Sequence, residues 1–420
     1  MWRFGAWSSR PDHSPLAYNI TPAGPGPRHP DAPATAAEEN LMRLTHLRLA
    51  VLVASIGLAT EGARADDYTV TNLVSDISGL AAYTDANLKN PWGIAESGGG
   101  PFWVANAVTS TSTLYNTAGL PQPLVVPIPP APSGPTGMVF NANKSDFLLN
   151  NGGSSLFLFA GLNGNISAWN GSIGANPAEV KVSGTGAVYT GLAIGPVGTD
   201  NVLYAADNKN NKIDVYGRSF QSLSGPGGTF ANAFVDPSLP AGFSAFNVQR
   251  VGSLLYVTYG SVTNSATGGG IVDTFDLTGH FLKHLIANGP GGPLEDPWGV
   301  ALATPNFGKY SNDLLIGNNE QGTINAFDPS TGAFLGSVAT ITGTIANPSS
   351  NGLWGLTFGN GGNGGNPNVL YAAAGINNEL NGLFVGISVA VPEPCTILLL
   401  GLGVALPIGL SRRRRRAVAG

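Results

Sequence analysis

Six short polar stretches are placed where they could do chemistry: Asn106; Asn150 with Asn151; Asp207 with Asn208; Tyr259; Asn318, Asn319 and Glu320; and Asn377, Asn378 and Glu379. Each follows a short apolar run, as Val202-Leu203-Tyr204-Ala205-Ala206 precedes Asp207. Amide carbonyls and carboxylates are hard oxygen donors of the kind Ca²⁺ collects in sixes to eights. If the runs bring their ends together, Asn106, Asn151, Asp207, Asn208, Asn319 and Glu320 could hold Ca²⁺. Such an ion could polarise an ester carbonyl and activate water. Against this stands the turn chemistry of the same residues. Asn and Asp dominate tight turns because they tolerate positive φ and hydrogen-bond their own backbone. In that reading no cofactor is needed.

Other candidates carry less. His13, His29 and His46 precede the repeating part of the chain. His280 and His284 fall in Gly279-His280-Phe281-Leu282-Lys283-His284, which reads as an outer strand with two surface histidines. Gly152-Gly153-Ser154 lacks the strand–elbow–helix context of a hydrolase nucleophile. Gly359-Asn360-Gly361-Gly362-Asn363-Gly364-Gly365-Asn366 has no lysine and no following helix, so it is not a phosphate cradle. No residue is assigned a catalytic role.

The elements that would position the polar ends repeat. Asn90-Pro91-Trp92-Gly93-Ile94-Ala95 is echoed by Asp296-Pro297-Trp298-Gly299-Val300-Ala301 and by Gly352-Leu353-Trp354-Gly355-Leu356-Thr357. Weaker echoes centre on Gly137, Gly191 and Asn247. Each leads to a second apolar run: Phe102–Asn106, Phe147–Asn150, Val202–Ala206, Leu254–Thr258, Asp313–Gly317 and Val369–Ala373. Third runs alternate apolar and polar, as Ile271-Val272-Asp273-Thr274-Phe275-Asp276 does. Gly, Asn and Pro clusters separate them, the punctuation of β-hairpins. Short runs without a 3.6-residue stripe are strands.

Units repeating at this spacing, each a small antiparallel sheet, predict an all-β six-bladed β-propeller over residues 66–390. A lone blade exposes both faces, so the ring must close. The glycine of each Trp-Gly pair lets the innermost strand crowd the axis. The tryptophan is expected to fill the wedge between blades. The last unit lacks a fourth strand, and Tyr68–Val74 is a strand that the first unit does not pair. Pairing that segment outside residues 383–389 would close the ring and remove an open edge. The alternative is seven blades, with a degenerate one hidden between Gly217 and Asp236.

The ends read as addresses. Residues 1–41 are proline-rich and aperiodic, a disordered leader whose presence suggests that translation starts at Met42. Arg43, His46 and Arg48, the apolar Leu49–Ala59, and Ala63 and Ala65 before Asp66 make residues 42–65 a secretory signal peptide. At the other end Pro392-Glu393-Pro394 precedes the uncharged stretch from Cys395 to Leu410, a transmembrane helix on the short side. Arg412, Arg413, Arg414, Arg415 and Arg416 follow, and by their charge stay cytoplasmic. Residues 66–390 hold 9 Lys plus Arg against 19 Asp plus Glu, so nucleic acid is set aside as a partner. With 59 glycines and 31 prolines in 420 residues and 11 % charged residues, the composition suits a turn-dense secreted β protein. The single cysteine, Cys395, leaves that domain without a disulfide.

The order Pro-Glu-Pro, hydrophobic helix, arginine cluster over 391–416 resembles the PEP-CTERM sorting signal. The resemblance implies that Pro392, Glu393, Pro394 and the arginines are recognised by exosortase in a Gram-negative bacterium that makes extracellular polysaccharide. The anchor would then be transient. Trp-Gly-Ile-Ala with Leu-Tyr-Ala-Ala-Asp resembles NHL-type propellers. The whole span 66–416 resembles a family of PEP-CTERM exoproteins that carries no known catalytic residues. Lactonase-like propellers have a similar layout and use an axial metal. The leading expectation is an exported, non-catalytic binding module for exopolysaccharide or an envelope protein, held to the membrane by its C-terminal helix. The alternatives are a metal-dependent lactonase or esterase and a structural spacer.

Overall fold

The computed structural model describes residues 68–390, apart from 130, 132–133, 262–267 and 342–351. The leader 1–41, the signal peptide 42–65 with Ala63 and Ala65, and the sorting signal 391–416 with Pro392, Glu393, Pro394 and the five arginines lie outside them. Among the described residues there is no α-helix, and no helix is long and apolar enough to cross a membrane.

The described residues open with β1 (Tyr68–Ser75) and the two-residue β2 (Tyr83–Thr84). Blade one is β3 (Pro91–Glu96), β4 (Phe102–Asn106), β5 (Thr111–Tyr115) and β6 (Pro121–Pro127). Blade two is β7 (Pro135–Phe140), β8 (Phe157–Gly161), β9 (Ile166–Trp169) and β10 (Glu179–Val182). Blade three has β11 (Tyr189–Val197), β12 (Asp200–Asp207) and β13 (Lys212–Tyr216). Blade four is β14 (Phe243–Val251), β15 (Leu254–Ser261), β16 (Gly270–Asp276) and β17 (Phe281–Asn288). Blade five is β18 (Pro297–Leu302), β19 (Leu314–Asn318), β20 (Thr323–Phe327) and β21 (Phe334–Thr340). Blade six is β22 (Leu353–Phe358), β23 (Leu370–Ile376) and β24 (Asn381–Val389), with β1 antiparallel outside β24. Six sheets make a six-bladed propeller, and β1 supplies the missing strand in the register Tyr68↔Val389 to Ser75↔Leu383.

The ring closes strand by strand around the axis. A Cβ on Gly93 would stand 2.6 Å from Thr136 O of the next inner strand, and one on Gly355 would stand 2.5 Å from Trp92 O. Gly137 abuts Gly191 and Leu192, Gly191 abuts Asn247, and Gly299 abuts Trp354 and Leu356. Between blades four and five the position is Asn247, whose Nδ2 donates to Trp298 O at 2.8 Å. Buried apolar clusters fill the six seams, one pair of blades each; Phe102, Val104 and Tyr115 meet Val74, Tyr371 and Phe384 where blade six returns to blade one.

Three expectations are corrected. The tryptophans of the repeats do not fill the wedges. Trp92, Trp298 and Trp354 gather in one buried cluster with Phe246, with Trp92 stacked on Trp354 at 3.4 Å and Trp298 edge-on to Trp354 at 5.9 Å. Each sits at a register irregularity between its inner strand and the next, and a bulge re-aims the side chain it carries. Second, the second strand of blade two is Phe157–Gly161, not Phe147–Asn150. Phe147, at φ 54° and fully buried, pins a loop into the seam of blades two and three. Third, the segment from Gly217 to Asp236 holds no seventh blade. Leu223 N donates to Val215 O at 2.8 Å, and Ser224 Oγ accepts from Val215 N at 3.0 Å. The segment thus lies irregularly along the edge of β13, where a fourth strand would be, while Gly225-Pro226-Gly227-Gly228 prevents extended pairing.

Candidate functional site

The inner strands run from the tryptophan end of the axis to an open one. At the first end the indoles block the path. Trp354 Nε1 donates to Asn90 Oδ1 at 3.0 Å, and Trp298 Nε1 donates to Thr190 O at 2.9 Å. Asn106 pairs with Pro91, Asp207 with Tyr189 and Asn318 with Pro297, so the polar strand ends lie at this blocked end.

There, most polar atoms are spent on the fold. Asp207 is fully buried; Oδ1 accepts from Val188 N at 3.1 Å and Asn210 N at 3.3 Å, and Oδ2 accepts from Asn210 Nδ2 at 2.6 Å. Asn208 Nδ2 donates to Ala245 O at 3.1 Å, tying blade three to blade four. Asn106 Nδ2 donates to Thr113 Oγ1 at 2.9 Å while its Oδ1 is buried without a partner. Asn319 is buried, and its Nδ2 has no partner. Glu320 is exposed beside Asp296, whose carboxyl is pushed up to about 6 by burial, against a hydrogen bond from Ser261 N and with Glu320 and Glu295 adding to the rise. Asn151 is not at this end: following the corrected strand assignment, it is exposed in a loop and donates to Ser172 Oγ at 2.8 Å.

The open end is a cavity of about 390 Å³ around the axis. Five of the six blades contribute to its wall, including Glu96, Phe140, Ile194, Arg250 and Thr357. Glu96 ends β3 and Thr357 lies near the end of β22, so neighbouring blades bring them together: Thr357 Oγ1 donates to Glu96 Oε1 at 3.2 Å. Glu96 Oε2 is buried with no partner. Burial pushes the Glu96 carboxyl up to about 8, against the lowering effect of the Thr357 hydrogen bond. Glu96 is therefore an uncharged acid at neutral pH, able to donate one hydrogen bond and accept another. Arg250 is exposed at the rim, its Nε donating to Gly252 O at 2.9 Å. A larger groove of about 540 Å³ lies off the axis between blades two and three, with Lys181 and Lys212 in its wall.

Asp207 and Glu320, among the described residues, fall in no group of three or more ligating side chains. Among the described residues, the His, Asp and Glu side chains whose donor atoms lie within 4.8 Å of one another in a group of at least three are Asp236, Asp273 and His284. His280 is exposed. His284 departs from the surface expectation: it is half-buried, with Nδ1 3.2 Å from Asp236 Oδ2 and 2.9 Å from Asp273 Oδ1. Asp273 carried a signal in the sequence, because alternation puts it on the same face as the core residues Ile271 and Phe275. Asp236 carried none, since only the course of the long connection after β13 brings it there.

No family model matches the chain. It is 31 % identical over 280 residues to Uncharacterized protein R648 of Acanthamoeba polyphaga mimivirus, covering 62 % of this chain and 67 % of that one. The chain belongs to the R648 family. Uncharacterized protein L690 of the same virus is 29 % identical over 293 residues, covering 66 % of this chain and 75 % of its own length. Solved structures similar to this R648-family chain include a streptogramin B lyase at a TM-score of 0.47 and 12 % identity, over 78 % of this chain and 100 % of that one. Another is the PQQ-bound aldose sugar dehydrogenase of Streptomyces coelicolor, at a TM-score of 0.47 and 13 % identity, over 77 % and 98 %.

Proposed function

We propose that the chain is an exported, non-catalytic binding propeller of the cell envelope or exopolysaccharide matrix, and that its axial cavity receives a neutral polyhydroxylated ligand, one sugar unit of a polysaccharide. The observation that carries this reading is the pairing of Glu96 and Thr357 in the cavity wall. An uncharged carboxylic acid beside a threonine hydroxyl in the wall suits a ligand hydroxyl, which can both donate and accept. The volume of about 390 Å³ falls within the ~300–1,000 Å³ of small-ligand sites. The wall is mixed, and Ile94, Phe140 and Ile194 within it suit the C–H face of a sugar ring. Delivery belongs to the same proposal: the signal peptide exports the propeller, and exosortase recognises Pro392, Glu393 and Pro394 before the arginine cluster. Calorimetry of the full chain against exopolysaccharide extracted from the host, and against a panel of monosaccharides, tests the reading. Binding is expected at pH 6–7, weaker above pH 8 where Glu96 ionises, and lost in Glu96→Ala. No heat with any of these probes ends it.

A further inference from the structure

We propose that Asp236, Asp273 and His284 form a site for one divalent transition-metal ion, with Zn²⁺ the best match. The site is separate from the axial cavity and does not depend on the binding reading above. Three elements build it. Asp273 lies on β16, His284 lies directly opposite on β17, and Asp236 arrives from the connection that covers blade three. In the register of blade four Asp273 and His284 are cross-strand partners, so the sheet itself sets their spacing.

The donor geometry fits a metal. His284 Nδ1 is 2.9 Å from Asp273 Oδ1 and 3.2 Å from Asp236 Oδ2. Ligands of a tetrahedral ion bound at 2.0–2.1 Å stand about 3.3 Å apart. One imidazole nitrogen with two carboxylate oxygens is a borderline donor set, suited to Zn²⁺ and less to Ca²⁺, which prefers oxygen alone. Three protein ligands leave a fourth position open, the pattern of an accessible rather than a closed zinc site.

A second, independent observation points to a ligand. Asp273 is fully buried, and beyond the His284, Tyr259 and Asp236 side chains that face it neither of its oxygens has a hydrogen-bond partner. The Asp236 side chain is also fully buried. Two enclosed carboxyls facing one nitrogen need a proton or a cation between them, and a metal ion would take the proton's place. Lys212, which shares the adjoining cavity, does not supply it; its Nζ is 2.8 Å from Asp214 Oδ1 and 3.9 Å from Asp207 Oδ2. Tyr259, on β15, faces Asp273 and is a neutral hydroxyl, since burial and the nearby carboxylates push its pKa far up. Asp236 and Tyr259 also line a cavity of about 190 Å³ with Asn211, Ile213, Phe234 and Leu239. The cavity gives the open coordination position room for water or one small anionic ligand.

The full chain, dialysed against EDTA, is titrated with ZnCl₂, MnCl₂ and CaCl₂ by calorimetry. One Zn²⁺ per chain is expected, bound more tightly than Mn²⁺, with Ca²⁺ giving no saturable heat. Asp273→Asn and His284→Gln should each weaken Zn²⁺ binding at least 100-fold. Glu320→Gln, at an exposed strand end elsewhere, should bind as the parent does. Circular dichroism in EDTA confirms that each variant keeps its sheet; if Asp273→Asn does not fold, His284→Gln decides. Absence of Zn²⁺ binding overturns the proposal, as does binding unchanged in both variants. Saturable Ca²⁺ in place of Zn²⁺ overturns the assignment of the metal. A higher melting temperature for Asp273→Asn with no metal bound by the parent identifies the trio as a proton-sharing contact and also overturns it.

Discussion

Glu96 is the last residue of β3, where the neighbouring inner strands offer Phe140 and Phe358 at their own ends. A carboxyl there is costly to charge, and burial holds its pKa at about 8 against 4.5 for a free glutamate. The sign of the effect on stability follows. Below pH 4.5 the group is protonated in both folded and unfolded chains and contributes nothing. Between 4.5 and 8 the unfolded chain releases the proton and the folded one keeps it, so stability falls as pH rises; above 8 the loss is complete. Glu96→Gln keeps the shape and removes the charge. Its thermal unfolding should match the parent near pH 4 and exceed it at pH 8. Parallel melting curves from pH 4 to 8 would show that Glu96 is solvated like a surface acid. The same reasoning separates Glu96 from Asp207, whose two oxygens accept from Val188, Asn210 and the Asn210 side chain, and so act as a turn clamp.

At the scale of elements, the connection from Gly217 to Gly242 does the work of a strand without being one. Phe230 and Phe234 are buried against Tyr204, and Phe234 also meets Phe275 at 5.3 Å, bridging blade three to blade four. Phe234→Ala should therefore lower unfolding free energy by about 3 kcal/mol or more, read by urea denaturation. A loss under about 1 kcal/mol would mean that the connection merely rests on the blade. This element also marks where the sequence stops being legible. The Trp-Gly echoes, the apolar runs and the Tyr68–Val74 strand could be read because period-two alternation and repetition are local properties. Phe147–Asn150 misled because a buried loop pin and a short strand share the same apolar signature, and only pairing distinguishes them. The tryptophans' direction depends on bulges, which leave no mark in residue type. Glu96 and Thr357 meet across a blade seam, and Asp236 reaches His284 through a connection without periodicity. Sites assembled between repeats are invisible to a reading made within each repeat.

For the whole molecule, stability rests on closure at two radii. Near the axis Gly355 lies against Trp92 O, and on the outside β1 pairs with β24 along nearly its whole length. The inner contact joins blade six to blade one through tightly packed backbone, but the outer one joins the two extremities of the described chain. Val74 puts the β1 segment into the buried cluster with Leu88, Phe102 and Phe384. Tyr68 extends the clasp beyond its own blade, its hydroxyl donating to Phe307 O at 2.7 Å and its ring lying parallel to Tyr310 at 5.9 Å. Because a ring has no free end, loosening this clasp opens both neighbouring seams at once rather than fraying a single edge. Removing residues 68–75 should then lower the melting temperature by at least several degrees, since the fully buried Val74 alone contributes about 1.5–3 kcal/mol and each kcal/mol shifts a large domain by about 2–4 °C. It should also expose β24 as an unpaired edge that seeks another chain. Light scattering of the truncated protein should show dimers or larger species. A synthetic peptide of the deleted segment should return it to the monomer. A truncated chain that stays monomeric and melts with the parent would place the closure wholly at the inner glycines.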